Sequence, residues 1–259
     1  KKYYKTTENK DYFSIFNINL FIFTNINENM KIVAFLNIET TGLPPKKISS
    51  VTKQNADKFP RLVSLHLKFG YYDKNTRQIN IIRSVYSIIK PNGYLIPLEV
   101  ANIHGITNDF ATENGLDIDI VLNEIKEIFI GNRDMPLTTS IITHNSKFHL
   151  NILKAELLRN DINFDFTRYK IIDLVNFRHG LSYPRLDELY ETLYGKKFNK
   201  SHNRKSTINV IIKCFEKLYT IEKDKKIEPT NESFGFDVDP LVLPEVKQDI
   251  VKYKKRKKL

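Results

Sequence analysis

The 259-residue chain carries 41 lysines and arginines against 30 aspartates and glutamates, a formal net charge of +11, with an isoelectric point near 9.4. A hydrophobic fraction of 41% over this length supports one sizeable core and excludes a disordered, charge-dominated chain. A single cysteine, Cys214, excludes an intrachain disulfide and points to a reducing, intracellular compartment, and no apolar run reaches the roughly 20 residues of a membrane-spanning helix.

Residues 1–30 read as an N-terminal extension. Lys1 in place of a methionine leaves room for a preceding segment. Within the extension, residues 12–24 are aromatic and β-branched and partly alternate apolar with polar, so we expect an added strand or a segment that docks on a protein partner. A helical anchor fits less well, because the run is short and broken by Ser14, Asn17 and Asn19.

Residues 31–220 carry the domain. Ile32-Val33-Ala34-Phe35-Leu36 is a short apolar run followed by Asn37, Glu39 and a Thr-Thr-Gly-Leu-Pro breaker, which together read as a buried strand ending in a turn. An Asn-x-Glu pair alone fits an ordinary structural strand end equally well. Three strands are expected between Ile32 and about Val85, with a turn at Asp73-Lys74-Asn75-Thr76. The loop from Pro44 to Pro60 carries Lys46, Lys47, Lys53 and Lys58, and we expect it beside the end of the first strand. Further along, the pattern predicts helices over 117–130, 146–159, 186–194 and 206–218, and a strand over 140–143. Asp173-Leu174-Val175 completes a sheet covered by helices. Cys214 lies in Val210-Ile211-Ile212-Lys213-Cys214-Phe215 and reads as a buried helical thiol.

Residues 221–259 form a linker and a basic tail. A charged break and the linker-like Pro229-Thr230-Asn231-Glu232-Ser233 precede residues 234–244, which have apolar side chains without a domain's length and should dock on this domain or a protein partner. Residues 252–258 hold six of the net positive charges, leaving about +5 elsewhere. Lys254, Lys255 and Arg256 are candidate phosphate contacts, and a solvated tail is the plainer alternative. The basic surplus favours nucleic acid as partner, DNA or RNA, and an acidic protein second.

Five segments occur in one order from Phe35 to about Leu218. They are Asn37-Ile38-Glu39-Thr40-Thr41-Gly42-Leu43; Arg61-Leu62-Val63-Ser64-Leu65-His66-Leu67-Lys68-Phe69; Ile89-Lys90-Pro91 with Asn102-Ile103-His104-Gly105-Ile106-Thr107; Ile141-Ile142-Thr143-His144-Asn145-Ser146-Lys147-Phe148-His149; and Ser201-His202-Asn203-Arg204-Lys205-Ser206-Thr207. In that order they resemble the DEDDh (DnaQ-like, RNase T-like) family of 3′-to-5′ exonucleases. The resemblance implies an α/β, RNase H-like mixed sheet flanked by helices, here with extensions at both ends.

It also implies where the chemistry has changed. Such nucleases hold two divalent ions about 3.5–4 Å apart to activate a water and stabilise the leaving oxygen, and hard cations require anionic oxygen ligands. The family's four carboxylate positions match Asn37, Glu39, His149 and Thr207, so Glu39 alone keeps its charge. His202 matches the family's general base, with no metal-bound water left to deprotonate. Thr40, Thr41 and Leu43 match the lining of the terminal-nucleotide site, with His144 and Asn145 at the start of the following helix. Glu156 lies two turns beyond His149, too far to substitute, and Asp173, Asp187 and Glu188 fall in segments that resemble non-catalytic parts of the family.

The expected function is thus a catalytically inactive exonuclease-like domain that binds nucleic acid or serves as an architectural subunit, with no cofactor. One alternative is a weak 3′-to-5′ exonuclease that uses Mg²⁺ or Mn²⁺. Any residual metal ligands would be Glu39, His149 and His202, a set better suited to Zn²⁺ or Mn²⁺ than to Mg²⁺. A purely structural assembly protein is the second alternative.

Overall fold

A computed structural model describes residues 32–48, 50–73, 75–130, 138–176, 183–198 and 207–224. The expectations for residues 12–24, for His202 and for the tail with residues 234–244, Lys254, Lys255 and Arg256 lie outside the described residues.

Five strands, β1 (Ile32–Thr40), β2 (Leu62–Asp73), β3 (Gln78–Ile88), β4 (Thr138–Thr143) and β5 (Lys170–Asp173), form one mixed sheet in the order β3-β2-β1-β4-β5. β1, β2 and β3 pair antiparallel in sequence, while β4 runs parallel to β1 and β5 parallel to β4. The β2–β3 turn is closed by Asp73, whose Oδ1 accepts the Asn75 N–H at 2.8 Å. Among the described residues six helices accompany the sheet: α1 (Leu98–His104), α2 (Asn108–Asn114), α3 (Ile118–Ile130), α4 (Ser146–Arg159), α5 (Leu186–Tyr194) and α6 (Thr207–Asp224). Among the described residues no helix is long and apolar enough to cross a membrane.

β1 reads as an unbroken apolar run because both of its faces are covered. Ile32, Ala34, Leu36 and Ile38 share a core with α3 and α4, while Val33 and Phe35 point the other way, into a core built by α5 and α6. Phe35 meets Phe215 of α6 edge to face at 5.6 Å, and Cys214 beside it is fully buried, as its sequence context predicts. A third, smaller cluster of Val63, Ile96, Ala101, Ile106 and Ala111 lies under α1 and α2. These seven-residue helices are absent from the sequence-based expectation. Their boundaries follow from local chemistry: Gly105 adopts φ 59° to end α1, and the Thr107 hydroxyl accepts the Phe110 N–H at 3.2 Å to start α2.

The loop after β1 corrects one expectation. Its second half packs against the last turn of α4, and the chain leaving it is held by Glu156, whose side chain is 1% exposed. The Glu156 carboxylate accepts Arg61 Nε at 2.9 Å and the Leu62 N–H at 2.9 Å, and Arg159 Nη1 lies 3.0 Å away. Arg159 in turn donates to the Ala56 and Phe59 carbonyls, and Lys53 pairs with Asp161. This end of α4 is ten residues from His149, about 15 Å along the helix, so Lys53 does not stand beside the end of β1.

Candidate functional site

β1 places Asn37 and Glu39 one and two steps of the pleat beyond Phe35, on the same face of the sheet. That face is covered by α6, which runs from the carboxyl end of the parallel strands toward the β2–β3 turn, where Tyr219 meets Tyr72. Its first residue, Thr207, is therefore at the same end of the sheet as Asn37 and Glu39, and all three are partly buried. The topology thus brings three of the four matched positions to one edge of one face, at the carboxyl ends of the strands. His202, by contrast, is outside the described residues.

The fourth position, His149, is reached from α4. β4 ends at Thr143, the Asn145 backbone turns through φ 75°, and the Asn145 side chain accepts the Phe148 N–H at 3.3 Å to begin the helix. His149 falls in the first turn and is buried. Its Nδ1 is 2.6 Å from the Thr143 hydroxyl, which donates its single hydrogen to the Leu36 carbonyl of β1 at 2.8 Å. With that hydrogen committed, the hydroxyl can only accept from the imidazole. The network therefore assigns the proton to Nδ1 and leaves the lone pair on Nε2. Burial pushes the His149 pKa down to about 4, with the neighbouring His144 adding to the effect. At neutral pH the matched carboxylate position holds an uncharged ring bonded inward to the two central parallel strands.

The remaining predicted contacts are largely engaged within the protein. Thr40 donates to the Gly42 carbonyl at 2.6 Å, and the Thr41 hydroxyl accepts the Arg61 N–H at 2.9 Å, so both hold the turn after β1. Leu43 is 84% exposed and open to a ligand. His144 Nε2 lies 2.9 Å from the Pro184 carbonyl, and burial lowers its pKa against the raising effects of that bond and of Asp173 and Asp187.

Two residues matter here that the sequence reading did not assign. Asp173, at the end of β5, accepts the N–H groups of Asn145 at 2.8 Å, Ser146 at 2.7 Å and Val175 at 3.1 Å, tying the start of α4 to β5. Thr143 orients His149. A lone threonine before His-Asn in the sequence marks neither role, because both depend on which strands lie alongside.

These donors do not fit two adjacent dications. Asn37 and Thr207 offer neutral oxygens, His149 offers a buried neutral nitrogen, and Asp173 is consumed by three backbone amides. Among the described residues no group of three or more histidines, cysteines or acids is placed to hold a metal ion.

No protein-family model and no curated protein matches the chain. Solved structures do match. Exonuclease I aligns with a TM-score of 0.55 at 18% identity, over 73% of this chain and 41% of that one. The Escherichia coli exonuclease I complex with a dT13 oligonucleotide gives a TM-score of 0.55 at 18% identity, over 75% and 42%. The zinc-bound E. coli complex with single-stranded DNA gives 0.54 at 16%, over 74% and 41%. The chain spans about two-fifths of the length of these proteins. The likeness establishes the exonuclease-like, RNase H-like fold that the sequence motifs imply.

Proposed function

We propose that this chain is an exonuclease-like domain without two-metal catalysis, retained to hold nucleic acid or to organise a larger complex. The observation that carries the reading is His149. At a position matching a metal-binding carboxylate of the nucleases, it is buried, uncharged at neutral pH and hydrogen-bonded to Thr143. A phosphodiester nuclease of this type needs anionic ligands to balance two dications, and Glu39 is the one carboxylate left among the four matched positions. Binding of nucleic acid is supported by the +11 net charge, by the exposed Leu43, Lys46 and Lys47 next to the end of β1, and by the oligonucleotides held in the matching exonuclease I structures.

The test is degradation of a 5′-labelled single-stranded oligonucleotide with Mg²⁺ and with Mn²⁺, beside the variant carrying Asn37→Asp, His149→Asp and Thr207→Asp. We expect an inert parent that nevertheless binds the oligonucleotide by fluorescence anisotropy, with affinity falling steeply as salt rises. Parental activity that disappears on Glu39→Ala would overturn the proposal in favour of an altered metal-dependent nuclease. An inert parent with no affinity for DNA or RNA would leave the structural-subunit alternative.

A further inference from the structure

The charge of this protein is unevenly placed. Between residues 91 and 125 there is no lysine or arginine and there are six acids, so the stretch carries −6 while the other residues carry +17. It includes α1, α2 and the start of α3. Ile96, Ala101, Ile106 and Ala111 turn inward to the small third cluster, His104 is buried and Val100 packs beside them, while Leu98, Glu99 and Ile103 of α1 and Asp109 and Glu113 of α2 are exposed. That outer side is unusually apolar for a surface, with Leu95 74%, Leu98 70% and Ile103 83% exposed. Five exposed carboxylates lie between Glu99 and Asp119, none in an ion pair among the described residues, whereas Glu124 is engaged by Arg83. An acidic face studded with apolar side chains repels a phosphate backbone, so it is unsuited to the nucleic acid proposed for the opposite charge.

The chain itself contains the complement. We propose that this face seats the protein's own C-terminal segment, with residues 234–244 over the exposed leucines and isoleucine and the six cations of residues 252–258 beside the carboxylates. Six cations meet five carboxylates that form no ion pair among the described residues, and the order along the segment, apolar first and basic after, suits a face that mixes both. The reach also fits. α6 ends at Asp224 beside the β2–β3 turn, and the α1–α2 cluster adjoins the far end of β3, where Leu116 bridges to Ile89. The eleven residues of β3 span roughly 35 Å, and the ten steps from Asp224 to Phe234 extend to about the same length. The basic tail thereby has two polyanionic sites available, this face and a nucleic acid, and occupation of one competes with the other. The proposal does not depend on whether the domain is catalytic.

Zero-length carbodiimide coupling of the full-length protein, followed by mass spectrometry, tests it. Lysines of residues 252–258 should couple to the five carboxylates about tenfold more than to the chain's other exposed acids, the ratio given by 1.4 kcal/mol of attraction. The variant Glu99→Lys, Asp109→Lys, Glu113→Lys should abolish the enrichment at Asp117 and Asp119 while remaining folded at the labelling temperature, since all three sites are exposed and the first-turn acids Glu99 and Asp109 contribute only modest helix-dipole stabilisation. Coupling of the tail spread evenly over all exposed acids would overturn the proposal. So would coupling that joins two chains in a mixture of ¹⁴N- and ¹⁵N-labelled protein, which would assign the face to a second copy.

Discussion

The buried His149 makes the protein's stability depend on pH in a particular window. In the unfolded chain a histidine titrates near 6.5, whereas burial in the fold holds this one at about 4. Its folded pKa is depressed, so between those values the unfolded state binds the extra proton, and stability falls as pH drops below about 6.5 and levels off below about 4. The full difference between 6.5 and about 4 corresponds to about 3 kcal/mol, of which about 2 kcal/mol is lost between pH 7.5 and pH 5. His144, also held below its ordinary range by burial, acts in the same direction, so a variant is needed to separate the two. His149→Gln retains an N–H donor for Thr143 and cannot titrate. Urea unfolding of parent and variant at pH 7.5, 6.5, 5.5 and 5.0 should show the parent losing about 2 kcal/mol more than the variant across that range. Parallel pH profiles would refute the reasoning, as would a His149 imidazole that titrates near 6.5 by NMR in the folded protein.

Other consequences are checked more simply. Glu156→Ala leaves the nearly buried Arg159 and the half-buried Arg61 without their shared carboxylate and should cost about 3 kcal/mol in chemical denaturation. Phe215→Ala removes a ring packed against Phe35 and Tyr219 and should cost about 3–5 kcal/mol by the same measurement. Burial pushes the Cys214 thiol up to about 12, so it should stay unreactive toward a thiol reagent at pH 8 in the native protein and react only at the rate of unfolding. Gly115→Ala places a Cβ against the Ala111 carbonyl and the Lys90 backbone, and thermal denaturation should show a large loss although the local φ of −82° suits any residue.

How much was legible in the sequence depends on whether the information is local. α4 was read to its observed ends, Ser146–Arg159, because Asn145 is a recognisable cap and the strand before it is a clean apolar run. α6 runs on to Asp224, beyond the expected end at Leu218, since the charged residues after Tyr219 continue a helix as readily as they end one. α1 and α2 escaped because seven residues give less than two periods of a 3.6-residue repeat, although Gly105, Thr107 and Gly115 mark their ends. At the site, the grouping of Asn37, Glu39 and Thr207 is what the family resemblance implies. The inward turn of His149 did not, because it rests on Thr143 and a Leu36 carbonyl 107 positions before that threonine.

The outer edge of β3 is less open than its eleven residues at the border of the sheet suggest. Near its start the Ile79 N–H is taken by the Glu216 carboxylate at 2.6 Å, and at its end Leu116 donates to the Ile88 carbonyl at 2.8 Å and accepts from the Lys90 N–H at 2.9 Å. A register shift between Phe69 and Gly70 adds an irregularity between these two closures. An eleven-residue border that is occupied at both ends and uneven in the middle gives a neighbouring molecule no long, straight template to extend. In a concentrated solution this edge of the sheet is therefore guarded against strand-to-strand association, and Glu216→Ala should weaken that guard at one end first.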